Sequence, residues 1–525
     1  MENTKQIMPI LNISNIFSKN RISNTEIGKI LPKIKVILCL PMGRHRTMIR
    51  LTSIHLENFK NTESGTVSLS SWTPGKPLGG SDIVGLYGQN GSGKTSVIQA
   101  LSILKKALTG NSLQNEIADC VSRTTGESTL SFEGVLFSKE KDAEGLFSYS
   151  LTICVDDGAP KIRGEKLAYK DYSAKKPVLK TLFEYEREED GSPFLVSPKT
   201  AWEPLFRIDD ICKMQVLVTE RVADGACSSL LFSTEFLDVL SKLANTGDKG
   251  LSKKALESRD KVAEPLMRAA GRLFLFGHTG LAIVSAAQQA EGMANHLHIS
   301  THEGEFGIFA DNGFDVNLLK PTLLTEENYA VLKRTISSIA PVMEALVPGL
   351  ELGVRELEKQ LDDDGRLGIR AELVCTRGKV TIPLRCESEG IKKLVSILVL
   401  LVDVYAKPGA CVAIDEFDSG VFEFLLGEIL QVLQDHGKGQ LVFTAHNLRP
   451  LEIVDKGSLI FTTANPKNRY VPFKGSRESN NLRSQYLRAI NLGGQSEVVY
   501  EPTNKFAIDS AFFEAGMAAK EGANG

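Results

Sequence analysis

The sequence predicts an α/β fold, and three observations predict it. Residues 88–95, Gly-Gln-Asn-Gly-Ser-Gly-Lys-Thr, make a glycine-rich loop between a strand-like run at 81–87 and a helix-like run at 96–101. An apolar run at 410–414 ends in two carboxylates, Asp415 and Glu416. A further apolar run at 441–445 ends at His446. Open α/β sheets hold their ligands at the C-terminal ends of such strands.

The loop matches the phosphate-binding P-loop, and its strand–loop–helix setting is the one the chemistry needs. Glycines let the backbone of Asn90, Gly91, Ser92, Gly93 and Ser96 wrap phosphate, with N–H groups aimed inward at a helix start. Lys94 reaches the β- and γ-phosphates, and the Thr95 hydroxyl is placed to ligate Mg²⁺. Asp415 is the expected second metal-shell residue, and Glu416 the group that polarises the attacking water. Acidic pairs at strand ends are common; the upstream P-loop is what makes this one informative. His446 is placed to contact the γ-phosphate and hold the water, where a lone histidine would otherwise read as a surface residue. The expected cofactors are ATP and Mg²⁺.

Just before the acidic strand comes Glu387-Ser388-Glu389-Gly390-Ile391-Lys392-Lys393-Leu394, leading into an apolar helix at 395–404. Ser388 and Gly390 at that helix start suit a second anion-binding N-terminus, and Ser388 equally suits simple N-capping. In this order, P-loop, Ser-x-Gly helix, acidic strand and histidine resemble the ABC-type ATPase heads of the SMC and RecF families. Residues 48–61 resemble the opening strand of those heads, including Asn58-Phe59-Lys60, whose Lys60 lies near the nucleotide in that family. The resemblance covers about residues 48–110 and 325–465. It implies a two-lobed head that pairs with a second head, Ser388 and Gly390 of one acting on the nucleotide of the other. Asp418 stands where such heads carry the loop crossing that interface; N-capping of the helix expected at 421–433 is the equal alternative. Gln114 and Gln215 are weak candidates for the metal-sensing glutamine. Glu389 in place of a signature glycine argues against a transporter subunit.

Composition bounds the rest. The chain has 525 residues with 42% hydrophobic and 24% charged side chains, enough for a large core in ordinary globular proportions. A net charge of −3 gives no global sign of nucleic-acid binding. The 8 cysteines are scattered without a C-x-x-C, which reads as reduced thiols in a cytoplasmic protein. No run reaches the roughly 18 apolar residues of a membrane span, so no membrane partner is expected.

Along the chain, residues 1–47 carry eight Lys/Arg against two acids. They read as a nucleic-acid-gripping arm, a solvated tail, or a segment upstream of a true start at Met48. Residues 48–200 form the expected N-terminal lobe, with strands at 129–138 and 146–155 and an exposed charged loop at 161–190. Residues 201–324 are expected to be a compact, mainly helical, partner-docking insertion, with helices at 234–244 and 254–275. No sustained heptads occur there, so no long coiled coil is expected. His296, His298 and His302 would share one strand face, with Glu303 opposite, and read better as a polar face than as a metal site. Residues 325–470 form the second lobe. Residues 471–525 follow, with a disordered end at 518–525 and no Toprim-type acidic cluster.

An ATPase head with a compact insertion and no nuclease of its own resembles the ATPase subunit of Septu-type antiphage systems, including versions attached to retrons. That resemblance rests on residues 386–394 and 415–430. It implies a homodimer or higher oligomer, an HNH nuclease subunit, and in the retron versions a reverse transcriptase with its RNA–DNA. The alternative is a RecF-like repair ATPase that binds DNA in an ATP-dependent way.

Overall fold

The structure, a computed structural model, describes residues 48–138, 142–187, 196–207, 210–248, 251–286, 296–300, 313–361, 365–472, 482–492, 497–498, 500 and 504–522. The basic arm at 1–47, His302 and Glu303 lie outside them. Among the described residues two six-stranded sheets, a small four-stranded sheet and a two-stranded pair are covered by helices.

The first sheet is antiparallel and six-stranded, in the order β2-β1-β4-β5-β6-β7. Its strands are β1 (Met48–Phe59), β2 (Thr62–Ser68), β4 (Glu127–Phe137), β5 (Ala143–Asp156), β6 (Ala159–Asp171) and β7 (Lys180–Glu186). Alternation explains its one buried face: Phe147, Tyr149, Leu151 and Ile153 of β5 are buried while their neighbours are only half-buried. Most of the charged loop expected at 161–190 is instead β6, β7 and their connection, while residues 188–190 lie outside the described residues. Ile162, Leu167, Tyr169, Phe183 and Tyr185 are buried together with Glu165, whose carboxylate accepts from Tyr149, Ser229 and the Leu230 and Leu231 N–H groups, while Lys166 and Glu184 face out.

The central sheet has the order β18-β17-β3-β16-β15-β8, all parallel except β18. It contains β3 (Asp82–Tyr87), β8 (Leu281–Val284), β15 (Cys411–Ile414), β16 (Gln440–Thr444), β17 (Leu459–Thr462) and β18 (Tyr470–Pro472). Its strands are apolar throughout because both faces are covered. Val84, Leu86, Ala413 and Val442 enter one core with helices Lys94–Leu108 and Glu264–Thr279 and the first sheet. Ile83, Tyr87, Ile414 and Phe443 enter the other with helices Glu326–Leu346, Glu389–Ala406 and Glu423–His436. Against that second core lies the small antiparallel sheet of β11 (Thr322–Leu324), β12 (Glu351–Leu361), β13 (Leu367–Arg377) and β14 (Val380–Pro383).

The two main sheets are stapled by a glutamine. A register shift in β1 between Leu51 and Ser53 interrupts its ladder. The buried Gln440, first residue of β16, accepts from the Leu51 N–H at 2.8 Å and donates to the Leu51 carbonyl at 2.8 Å and the Leu69 carbonyl at 3.2 Å. Next to it the buried Arg50 donates to the Lys438 carbonyl at 2.7 Å and pairs with Asp82 at 3.3 Å.

Within 201–324 the described residues pack into the two main cores and do not stand apart as an insertion. Helix Thr234–Ala244 matches the expected 234–244, and it shares the first core with the helices on either side of it. Helix Glu264–Thr279 packs on the P-loop helix, and β8 extends the central sheet beside β15. A four-residue strand flanked by helix is too short to read from pattern. β9 (His296–Ser300) pairs with β10 (Gly313–Asn317); His298 meets Asp315 at 2.8 Å and His296 meets Asn317 at 3.0 Å. No group of metal-holding side chains occurs among the described residues. The end expected to be disordered is helical as far as Gly522 within helix Lys505–Gly522. Among the described residues no helix is long and apolar enough to cross a membrane.

Candidate functional site: a P-loop facing paired carboxylates

β3, β16 and β15 are neighbours in the central sheet, so the loops after them meet at one edge. The pocket there is lined by the P-loop residues Asn90, Gly91, Gly93, Lys94, Thr95 and Ser96. Opposite them stand Asp415, Glu416, Thr444 and His446, and Lys60 and Asn61 enter from the first sheet.

The P-loop helix Lys94–Leu108 begins at Gly93, whose φ of 94° is left-handed and therefore costly for any residue with a Cβ. No side chain caps that helix start, so its N–H groups are available to an anion. The Lys94 ammonium donates to the Gly88 carbonyl at 2.7 Å and the Gln89 carbonyl at 2.9 Å. Burial lowers its pKa, and Asp415, Glu416 and Asp418 pull it back up. Thr95 donates to Asp415 Oδ1 at 3.4 Å across 320 residues of sequence. A hydroxyl and a carboxylate so placed are the hard oxygen donors that suit Mg²⁺. Ser92 is the exception among the loop residues. Its hydroxyl bonds the Gln89 carbonyl at 2.6 Å and Thr462 of β17, and it does not line the pocket.

Glu416 has φ 48°, a left-handed backbone that strains a residue other than glycine. Three contacts hold it there. Its N–H donates to Thr444 Oγ1 at 2.8 Å, and its carbonyl accepts from Lys393 Nζ at 2.6 Å and from the Ser419 N–H at 3.0 Å. Thr444 also donates to Asp415 Oδ1 at 2.6 Å, so one hydroxyl orients both acidic residues. The result leaves the Glu416 and His446 side chains exposed at the pocket while Asp415 is buried.

Asp418 caps no helix. Helix Glu423–His436 begins later, with Phe422 at its N-cap. Asp418 Oδ2 instead accepts from the His446 N–H at 2.8 Å and the Asn447 N–H at 2.7 Å, tying the loop after β15 to the loop after β16. Ser388 does cap its helix, accepting from the Ile391 N–H at 3.4 Å. Ser388 and Gly390 lie outside this pocket. A Cβ on Gly390 would come within 2.1 Å of the Gly420 carbonyl, so the helix start and the Asp418 loop touch through bare backbone. Gln114 and Gln215 do not reach the pocket either.

Four contributors escaped the sequence: Thr444, Lys393, Asn61 and Tyr470. Asn61 bonds the Gly91 carbonyl, and Tyr470 of β18 donates to the Gly93 carbonyl at 2.8 Å. Only Asn61 carried a signal, as the residue after Asn58-Phe59-Lys60. The turn there has Asn58 at φ 53° and Lys60 at φ 54°, which drives Phe59 into the core and aims Lys60 at the site.

Residues 83–200 match the family model described as "AAA domain, putative AbiEii toxin, Type IV TA system". No curated protein matches the sequence. Among solved structures, an Smc head bound to the C-winged helix domain of ScpA is 14% identical, with 82% of this chain and 98% of that chain covered at a TM-score of 0.38. The SMC head domain from Thermotoga maritima is 13% identical, with 81% and 100% covered at 0.32. The recombination mediator RecF with ATP is 12% identical, with 76% and 94% covered at 0.27. The stretch that matches the AAA-domain model, residues 83–200, is the one that carries the P-loop facing Asp415 and Glu416 across the pocket.

Proposed function

We propose that this chain is the ATP-binding and hydrolysing subunit of an antiphage defence complex, pairing through ATP-sandwiched heads and controlling a separate nuclease. The observation that carries the ATPase part is the meeting of Lys94, Thr95, Asp415, Glu416 and His446 at one sheet edge. Lys94 and the helix N-terminus neutralise phosphate charge. Thr95 and Asp415 would hold Mg²⁺, which when bound supplies further neutralisation of the phosphates. Glu416 accepts the proton of the attacking water, and the His446 ring orients that water. Ser388 and Gly390 serve the nucleotide of the second head. Their position outside their own chain's pocket supports that role.

The defence part draws support from the resemblance of residues 386–394 and 415–430 to Septu-type ATPases. The matching family's description, which names a putative toxin of a toxin–antitoxin system, is a second support. An HNH nuclease subunit, and in a retron setting a reverse transcriptase with RNA–DNA, are the partners this reading requires.

The deciding experiment for the chemistry is Glu416→Gln. The variant should keep ATP affinity, lose about 10²–10⁴-fold in turnover, and accumulate as ATP-bound pairs in size-exclusion chromatography. Turnover at the parental rate would remove Glu416 as the base. Purification with the genes that neighbour it tests the partner. A co-purifying HNH protein supports the complex, whereas a chain that pairs alone on ATP and grips duplex DNA supports a RecF-like repair role.

A further inference from the structure

Two adjacent lysines follow the Ser388-Glu389-Gly390 turn, and the fold sends them to different places. Lys392 pairs locally with Glu389, one turn back on its own helix. Lys393 is also buried, but its ammonium leaves helix Glu389–Ala406 and donates to the Glu416 carbonyl at 2.6 Å. A buried lysine is uncommon, because the ammonium loses hydration that only close partners restore. Here the partners are one backbone oxygen and the field of Asp415, Glu416 and Asp418. The oxygen belongs to the one residue of the acidic strand end whose backbone is left-handed.

We infer that Lys393 is a positioning residue for the hydrolytic step, holding Glu416 in its left-handed conformation from the helix that carries Ser388 and Gly390. The inference rests on the reading of Glu416 as the base and adds a second link to it. Glu416 is gripped on both sides of its Cα, by Thr444 at the N–H and by Lys393, beside the Ser419 N–H, at the carbonyl. Without Lys393 the carbonyl keeps only the Ser419 N–H at 3.0 Å, and rotation toward an ordinary right-handed or extended backbone relieves strain and swings the carboxylate off its line. Lys393 is one helical turn beyond Gly390, on a rigid element. Any displacement of that helix start, such as engagement with a second head, therefore changes the pull on Glu416. The residue makes the acidic edge sensitive to the position of the Ser388 helix without touching nucleotide itself.

The test is steady-state ATP hydrolysis by the full chain with Lys393→Met and Lys393→Arg, beside Glu416→Gln. Methionine keeps the aliphatic stem and removes the donor. It should lower kcat about tenfold or more while KM for ATP and nucleotide affinity stay within about twofold. Arginine, still a cationic donor, should restore most of the lost kcat. Circular dichroism and melting of each variant accompany the kinetics. If Lys393→Met fails to fold, the arginine variant and Lys393→Gln, a neutral donor, carry the comparison. A fully active Lys393→Gln with an inactive Lys393→Arg would overturn the inference. So would parental kcat in Lys393→Met, or a loss shared equally between kcat and nucleotide affinity. Parental turnover in Glu416→Gln would instead overturn the reading of Glu416, so the two failures are distinguishable.

Discussion

Thr444→Val should separate the geometry of the acidic edge from its charge. Valine matches threonine in shape, so the buried volume at the end of β16 is kept. Two bonds are lost. The first is the 2.6 Å hydroxyl donation to Asp415 Oδ1, a hydrogen bond to a charged group worth about 1.5–3 kcal/mol. The second is the 2.8 Å acceptance from the Glu416 N–H, and leaving that donor without a partner costs about 1–3 kcal/mol. The added methyl returns about 0.8 kcal/mol at most. The net destabilisation is about 2–5 kcal/mol, unless Glu416 relieves it by leaving its left-handed conformation. Either outcome damages turnover, because Asp415 loses its orientation and Glu416 its line. The assay is chemical denaturation and Mg²⁺-dependent ATP hydrolysis on Thr444→Val beside Thr444→Ser, which keeps the hydroxyl. The serine variant should stay close to the parent in both. A valine variant with parental stability and parental Mg²⁺ dependence would refute the argument that this hydroxyl orients both acidic residues.

Further outcomes are expected. Lys94→Ala should abolish nucleotide binding by fluorescence titration, since it removes the buried ammonium beside the Gly88 and Gln89 carbonyls; undiminished affinity would sink the assignment. Burial holds Lys393 down at about 8, against the upward pull of Asp418, Glu416 and Asp415. Its cation is therefore present below that pH and lost above it, so turnover should fall as pH rises through about 8 in the parent but not in Lys393→Arg. Stability runs the other way. Between about 8 and the ordinary 10.5 the unfolded chain binds the proton more readily, so this lysine's contribution to stability rises with pH there. Gln440→Leu should destabilise the chain by about 2–4 kcal/mol in denaturant titration, because the Leu51 N–H and two carbonyls lose their buried partner. A smaller loss would mean that the β1 bulge finds other partners.

The site was legible where its chemistry is local. Residues 88–95 and 415–416 carry their roles in their own spacing, and the strands at 129–138 and 146–155 show in their alternation. What stayed hidden depends on tertiary neighbours. Thr444 reads as one more β-branched strand residue; only the pairing of β15 with β16 puts its hydroxyl between Asp415 and Glu416. Lys393 looks like an ordinary charged helix residue until the helix is docked. Asp418 read either as part of an interface-crossing loop or as a helix cap; the fold removes the cap and ties the residue to the loop after β16, a contact that sequence did not offer. The error at 161–190 came from counting charge, where alternation around Leu167 and Phe183 carried the structure.

The order of the central sheet has a consequence for how the chain is made. β3 ends in the P-loop, yet both of its neighbours, β16 and β17, are encoded hundreds of residues later. At synthesis rates of about 5–20 residues per second, the nascent chain carries β3 with both edges open for tens of seconds. An apolar strand with two bare edges is an aggregation hazard and a chaperone target. The nucleotide pocket cannot be assembled until residues 411–446 have left the ribosome. Fragments that stop earlier should be insoluble and unable to hold nucleotide, and ATP cannot stabilise this protein before His446 has been made.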